Sequence, residues 1–177
     1  MSAKRVVMVV DMQQGVFATP RIRREQCVEL INKLTNAADT VIFIQHIEEG
    51  GLEEGSAGFQ LLPELYQPAS ALYVTKTACD SFYKTRLEDV LHEHNITGFV
   101  MCGCATDYCV DTTLKNGASR GYAITVAGDA HTTAHRPAAQ AETLIAHYND
   151  VWRNLTVPQN PVFVKSVETI LNEWQTN

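Results

Sequence analysis

The chain has 177 residues, of which 45% are hydrophobic and 19% charged, with a formal net charge of −6. That composition excludes an intrinsically disordered chain, and the negative balance argues against nucleic acid as a partner. No apolar run approaches the ~18 residues that a membrane-spanning helix needs, so no membrane partner is expected either.

The first element is "RVVMVVD" from Arg5. Its apolar run is short and meets Asp11 at once, which reads as a strand and not as a secretion signal. There are five cysteines, an odd number. Without a signal, a reducing, cytoplasmic location is expected, and disulfides explain the cysteines poorly. A helix follows, with Cys27, Leu30, Ile31 and Leu34 on one face. The strand "TVIFIQH" from Thr40 ends on Gln45 and His46. The connection from Glu48 to Ser70 is long, acidic and Gly-rich at first. It reads either as a solvated excursion or as a lid over a site, with "LLPEL" forming one helical turn.

The strand "ALYVTK" from Ala71 then ends on Lys76, and Leu87, Val90 and Leu91 mark a second helix face. "GFVMCG" from Gly98 and "YAITVAGD" from Tyr122 are further strands. Ala141, Leu144, Ile145, Tyr148, Trp152 and Leu155 share a helix face; "PVFVKS" from Pro161 is a strand; Val167, Ile170, Leu171 and Trp174 close the chain as a helix. Most of the strands are apolar on both faces, as buried parallel strands must be. Strand and helix alternate throughout, with no repeat and no linker, so the fold class is α/β: βαβ units around a parallel sheet, in one domain over 1–177.

In open α/β sheets ligands bind beyond the carboxyl ends of the strands. At that edge the sequence delivers Asp11, Gln45 with His46, Lys76, the run Gly103-Cys104-Ala105-Thr106, and Asp129 with His131 just after it. Together these indicate a site holding an acid, a cation and a thiol. The stretch "MCGCATDYCVDTT" from Met101 carries three cysteines. Cys102 lies inside a strand and reads as core packing. Cys109 follows Thr106 and Asp107, both good N-cap residues, and falls in the first turn of a helix. Its thiol pKa is therefore expected to fall, making it the most reactive of the five.

Metal binding is not expected. C-x-C-x4-C is not a zinc spacing, and His92 and His94 read as solvated. His131 and His135 face one another only if their turn is helical. A thiol nucleophile needs a base and oxyanion donors, and Asp11 and Lys76 are the charged groups on hand. Both are expected at strand ends, outside the core.

The segments "VVDMQ" (Val9–Gln13), Lys76 with Ser81 and Phe82, "GCATDYCVDTT" from Gly103 and "GDAHTT" from Gly128 resemble the isochorismatase-like cysteine hydrolases. The resemblance implies a Rossmann-like, three-layer α/β/α sandwich with a six-stranded parallel sheet in the order 3-2-1-4-5-6. It implies an Asp–Lys–Cys triad, here Asp11, Lys76 and Cys109, and a cis peptide between Cys104 and Ala105. The N–H groups of Ala105 and Cys109 then form the oxyanion hole. Phe17, His46, Phe82 and Tyr108 are the implied pocket residues, while Asp129 braces a neighbouring loop. The implied activity is hydrolysis of a small amide or carbamoyl compound through a thioester, without cofactor or metal, in a homo-oligomer (dimer or tetramer). His46 alone stands where relatives that bind metal carry several ligands. Two alternatives are enol-ether hydrolysis of the isochorismate type and a non-catalytic small-molecule-binding relative.

Overall fold

A computed structural model describes residues 4–176. Six strands form one parallel sheet in the order β3-β2-β1-β4-β5-β6. They are β1 (Val6–Val10), β2 (Thr40–His46), β3 (Leu72–Lys76), β4 (Gly98–Cys104), β5 (Ala123–Thr132) and β6 (Phe163–Lys165). The helices are α1 (Arg24–Ala37), α2 (Leu87–Glu93), α3 (Asp111–Ser119), α4 (Ala141–Arg153) and α5 (Val167–Thr176).

Side chains alternate across the central strand with period two, so β1 serves two cores at once. Val6, Met8 and Val10 join Leu87, Leu91, Leu114 and Trp152 from α2, α3 and α4. Val7 and Val9 join Cys27, Ile31 and Leu34 of α1 and Ile170 of α5. The result is a three-layer α/β/α arrangement, and the sheet order makes β1 and β4 neighbours where the winding reverses.

Two local features refine the sequence reading. The "LLPEL" segment closes one turn, the Leu65 N–H donating to Leu62 O at 3.1 Å, and does not continue as a helix. Leu61 pairs with Gln13 as an isolated antiparallel bridge, and Leu61, Leu62 and Leu65 are buried against the α1 layer. Strand β5 also runs past Asp129 to Thr132. A register shift between Met101 and Gly103 brings His131 opposite Gly103 and Thr132 opposite Cys104. Asp129 braces α5, its Oδ1 accepting from the N–H of Val167 at 2.9 Å.

Candidate active site

At the carboxyl end of β1 the backbone of Asp11 is left-handed, with φ of +47°. Non-glycine residues seldom adopt that conformation, and they do so mostly where a site imposes it. The Asp11 N–H still donates to Ile44 O at 3.0 Å, so the residue stays tied to β2. Lys76 ends β3 beside His46. Its ammonium faces four acceptors: Asp11 Oδ2 at 2.8 Å, His46 Nδ1 at 2.9 Å, Ala78 O at 2.9 Å and Cys109 Sγ at 3.3 Å. An ammonium has three protons, so these acceptors compete.

Asp11 and Lys76 are each only 2% exposed. They are buried residues and not the peripheral ones their strand-end positions suggest. Burial alone would lower the Lys76 ammonium, but the Asp11 carboxylate and the hydrogen bonds to Asp11 and Cys109 outweigh it and hold it above its usual value. Burial and the adjacent Lys76 keep His46 below the usual histidine range. With Nδ1 accepting from Lys76, the ring's proton sits on Nε2.

Cys109 lies in one π-helical turn, Thr106–Val110, that runs directly into α3. The N–H of Val110 reaches back five residues to Ala105 O at 3.2 Å. The peptide between Cys104 and Ala105 is cis. Gly103, at φ of +118°, passes so close to β1 that a Cβ would meet Val10 O at 2.2 Å, so only glycine fits there. Neither Thr106 nor Asp107 caps the helix. Both side chains are engaged elsewhere by β5 and the loop after it.

The expectation of a depressed thiol pKa is overturned. Burial pushes the Cys109 thiol up, and the Asp11 carboxylate pushes it further, while Lys76 only partly offsets them. Enclosure outweighs the helix terminus. Cys109 is therefore a thiol at rest, beside a carboxylate whose Oδ1 is buried without a hydrogen-bond partner. Cys79 is the exposed cysteine near it, and burial raises Cys104 to about 12 and also raises Cys102.

Behind the turn sits a second polar cluster. Asn149 Nδ2 donates to Gly128 O at 2.9 Å, so its Oδ1 accepts from His131 Nε2 at 2.9 Å. His131 Nδ1 then accepts from the Thr106 hydroxyl at 2.7 Å. Asp107 is held by Arg136, through Nε at 2.8 Å, and by Thr133. Burial works against the Asp107 charge, but these donors outweigh it and hold the carboxyl below its usual range. Trp152 Nε1 donates to Asp111 at 2.9 Å. His131 thus braces the turn and does not face His135, which is exposed. His92 and His94 are exposed as well.

The site opens into a cavity of about 440 Å³. Asp11, Cys109, Ala105, His46 and Tyr108 are among the residues lining it, and Lys76 is not. Phe17 and Phe82 are not among the residues lining it. Phe17 packs against the α1 layer beneath the Arg24 guanidinium, 5.9 Å from its ring centre. Phe82 is buried and stacks on Tyr122 at 5.6 Å. A phenylalanine buries best in a core, and both cores were within reach. Ser81, its neighbour in the motif, bonds Thr113 on α3.

Sequence reasoning missed Arg21, Glu48, Leu52, Cys79 and Arg136 as wall residues. Glu48 and Leu52 come from the long connection after β2, which is anchored at Phe59: its carbonyl accepts from Gln13 Nε2 and Gln45 Nε2, both at 3.0 Å. Gln13 also brackets the backbone of His46, at 2.7 and 2.9 Å. Its place in "DMQ" was the available signal. A second depression, of about 300 Å³ at the opposite edge of the sheet, holds no nucleophile. Among the described residues no three His, Cys, Asp or Glu side chains gather so as to hold a metal ion, and no helix is long and apolar enough to cross a membrane.

The isochorismatase domain family model matches residues 5–154. The chain is 31% identical over 144 residues to a streptothricin hydrolase of Streptomyces noursei, a match covering 76% of this chain and 57% of that protein. It is 30% identical over 110 residues to a ureidoacrylate amidohydrolase of Methylorubrum extorquens, covering 62% and 44% respectively. The chain thus spans about half the length of these two curated relatives. A solved cysteine hydrolase from Pseudomonas syringae pv. phaseolicola superposes with a TM-score of 0.86 at 19% identity, over 98% of this chain and 93% of that one.

Proposed function

The chain belongs to the isochorismatase family, and from that premise we propose that it is a cysteine hydrolase of a small amide or carbamoyl compound. The observation that carries this reading is the buried Lys76 ammonium bridging Asp11 at 2.8 Å and Cys109 at 3.3 Å, two residues that line the cavity. The two named relatives, a hydrolase and an amidohydrolase, support acyl chemistry.

In this mechanism Asp11 Oδ1 takes the thiol proton as Cys109 Sγ attacks the carbonyl carbon. A resting thiol suits this, since the base and not a preformed thiolate supplies the nucleophile. The carbonyl electron pair moves to oxygen, where the N–H groups of Ala105 and Cys109 hold it and the Lys76 charge balances it. Collapse expels the amine, which takes the proton from Asp11 and leaves a thioester. Water then adds, with Asp11 again as base, releasing the acid and restoring the thiol.

The test is a library of amides and carbamoyl compounds screened for amine or ammonia release by the wild type and by Cys109→Ala. Release by the wild type alone is expected. Hydrolysis that survives in Cys109→Ala would overturn the reading and favour chemistry without a covalent thioester.

A further inference from the structure

Leu52 lines the cavity and has no part in the mechanism above. It stands in the run from Glu48 to Gly55, where the other residues are four glutamates and three glycines. A lone leucine in so polar a strap is half-buried, and its place is built. Gly15 has φ of −68° and ψ of −33°, a helical conformation open to any residue. Space, not conformation, requires glycine there: a Cβ would meet Leu52 Cδ2 at 2.7 Å and Gly51 O at 3.0 Å. The Leu52 side chain therefore lies over Gly15, which lines the same cavity.

The strap is tied down on both sides of this contact. Gly15 N–H donates to Gly58 O and Gln14 N–H to Gln60 O, both at 2.8 Å. The tip folds at Gly50 and Gly51, with φ of +93° and +139°. Glu53 fixes that fold, its carboxylate accepting from their N–H groups at 2.8 and 2.9 Å. Leu52 N–H closes the turn on Glu48 O at 3.2 Å.

We propose that Leu52, with Val16, forms the subsite for an aliphatic group of the substrate, so that the preferred amides carry an alkyl chain of several carbons. This deepens the amide-hydrolase reading and rests on it. Val16 and Leu52 are the two branched aliphatic residues among those lining the cavity, and they stand side by side at Gly15. The reacting groups Asp11 and Cys109 share that cavity. Phe17 and Phe82 pack in the cores, so neither ring supplies an apolar wall. Binding cavities pair apolar walls with a few polar groups, and a chain laid on Leu52 takes apolar surface of both out of water.

The test follows kcat/KM along two homologous series, primary amides from acetamide to hexanamide and N-alkylacetamides from methyl to butyl. In the wild type at least one series should rise by about two- to fourfold per methylene over its first members, the yield of burying each CH₂. Leu52→Asn, close in shape but polar, should flatten that rise, and Leu52→Ala should reduce it. Gly15→Ala, which displaces Leu52, should alter the preferred length. Flat or falling rates in both series, or an undiminished rise in Leu52→Asn, would overturn the subsite while leaving the hydrolase reading intact. If no amide turns over, N-alkyl chloroacetamides read the same wall without turnover. Alkylation of Cys109, mapped by peptide, should speed up with chain length in the wild type and not in Leu52→Asn. A rate indifferent to length, or Cys109 left unlabelled by every member, would also overturn it. Thermal unfolding of each variant checks that it is folded.

Discussion

Two polar clusters, each at least partly buried, flank the Cys109 turn. In the rear one, three separate groups, Thr106 with His131 and Asn149, Asp107 with Arg136 and Thr133, and Trp152 with Asp111, each make hydrogen bonds whose donors and acceptors match. In the front one, Lys76 offers three protons to four acceptors while Asp11 Oδ1 has no partner. A satisfied network fixes one geometry, whereas an unsatisfied one has somewhere to put a proton or a ligand. The rear cluster therefore holds the turn, and the front cluster is free to change its protonation. Substitutions should split accordingly between activity and stability.

The largest effect is expected at the nucleophile. Cys109→Ala should lose at least about 10⁴-fold in amide turnover, as loss of a covalent nucleophile does, with little change in melting temperature. Retained turnover would remove the front cluster from the chemistry altogether. The reactivity of Cys109 is a poorer test than the sequence suggested. Cys79 is exposed whereas Cys109 is half-buried with a raised pKa, so alkylation should label Cys79 at least as fast.

Next come Asp11→Asn and Lys76→Met, each costing about 10²- to 10⁴-fold in kcat/KM. Their losses should be far from additive in the double variant, because the two groups act as a unit. Burial adds a stability cost that strand-end positions did not foretell. Removing one partner of a buried ion pair strands the other, at up to ~3–5 kcal/mol, readable by denaturant unfolding. Additive losses would mean that the pair does not work as one site.

The rear cluster should respond in stability. Burial lowers His131 to about 4 from 6.5. The unfolded chain therefore takes up this proton first as pH falls. Stability from this residue is intact above 6.5, declines between 6.5 and about 4, and the total loss is roughly 3 kcal/mol. His131→Phe should flatten that part of the pH–stability curve while lowering stability at pH 7 by about 1–3 kcal/mol, since Thr106 and Asn149 lose their partner. An unchanged slope would show that the rear cluster does not carry this titration.

The smallest effect concerns His46, which belongs to the front cluster. It accepts from Lys76 only when neutral, and its pKa is depressed. Activity should hold at pH 7 and fall, by several-fold, as the pH drops below 6.5 and His46 takes a proton it cannot hold beside Lys76. A pH–rate profile of His46→Asn that keeps the same acid limb would assign the limb to another group.

The sequence by itself determined the parallel sheet and the edge at which its polar groups gather. Strands buried on both faces need unbroken apolar runs, and a parallel sheet gathers its strand ends on one side, so Asp11, Lys76 and Cys109 were legible together. The "G-C-A-T-D-x-C-V" stretch marked the turn. Tertiary structure alone decided what surrounds these groups. Phe17 and Phe82 carry no mark that separates a pocket ring from a core ring, because either burial satisfies the same apolar surface. Arg136 pairs with Asp107 across 29 residues of chain. Such pairings depend on distance in space, which local pattern does not encode. The thiol's pKa is the clearest case. A helix start is visible in a short stretch of residues, but burial and the approach of Asp11 from another strand exist only once the sheet has formed, and those are the larger influences.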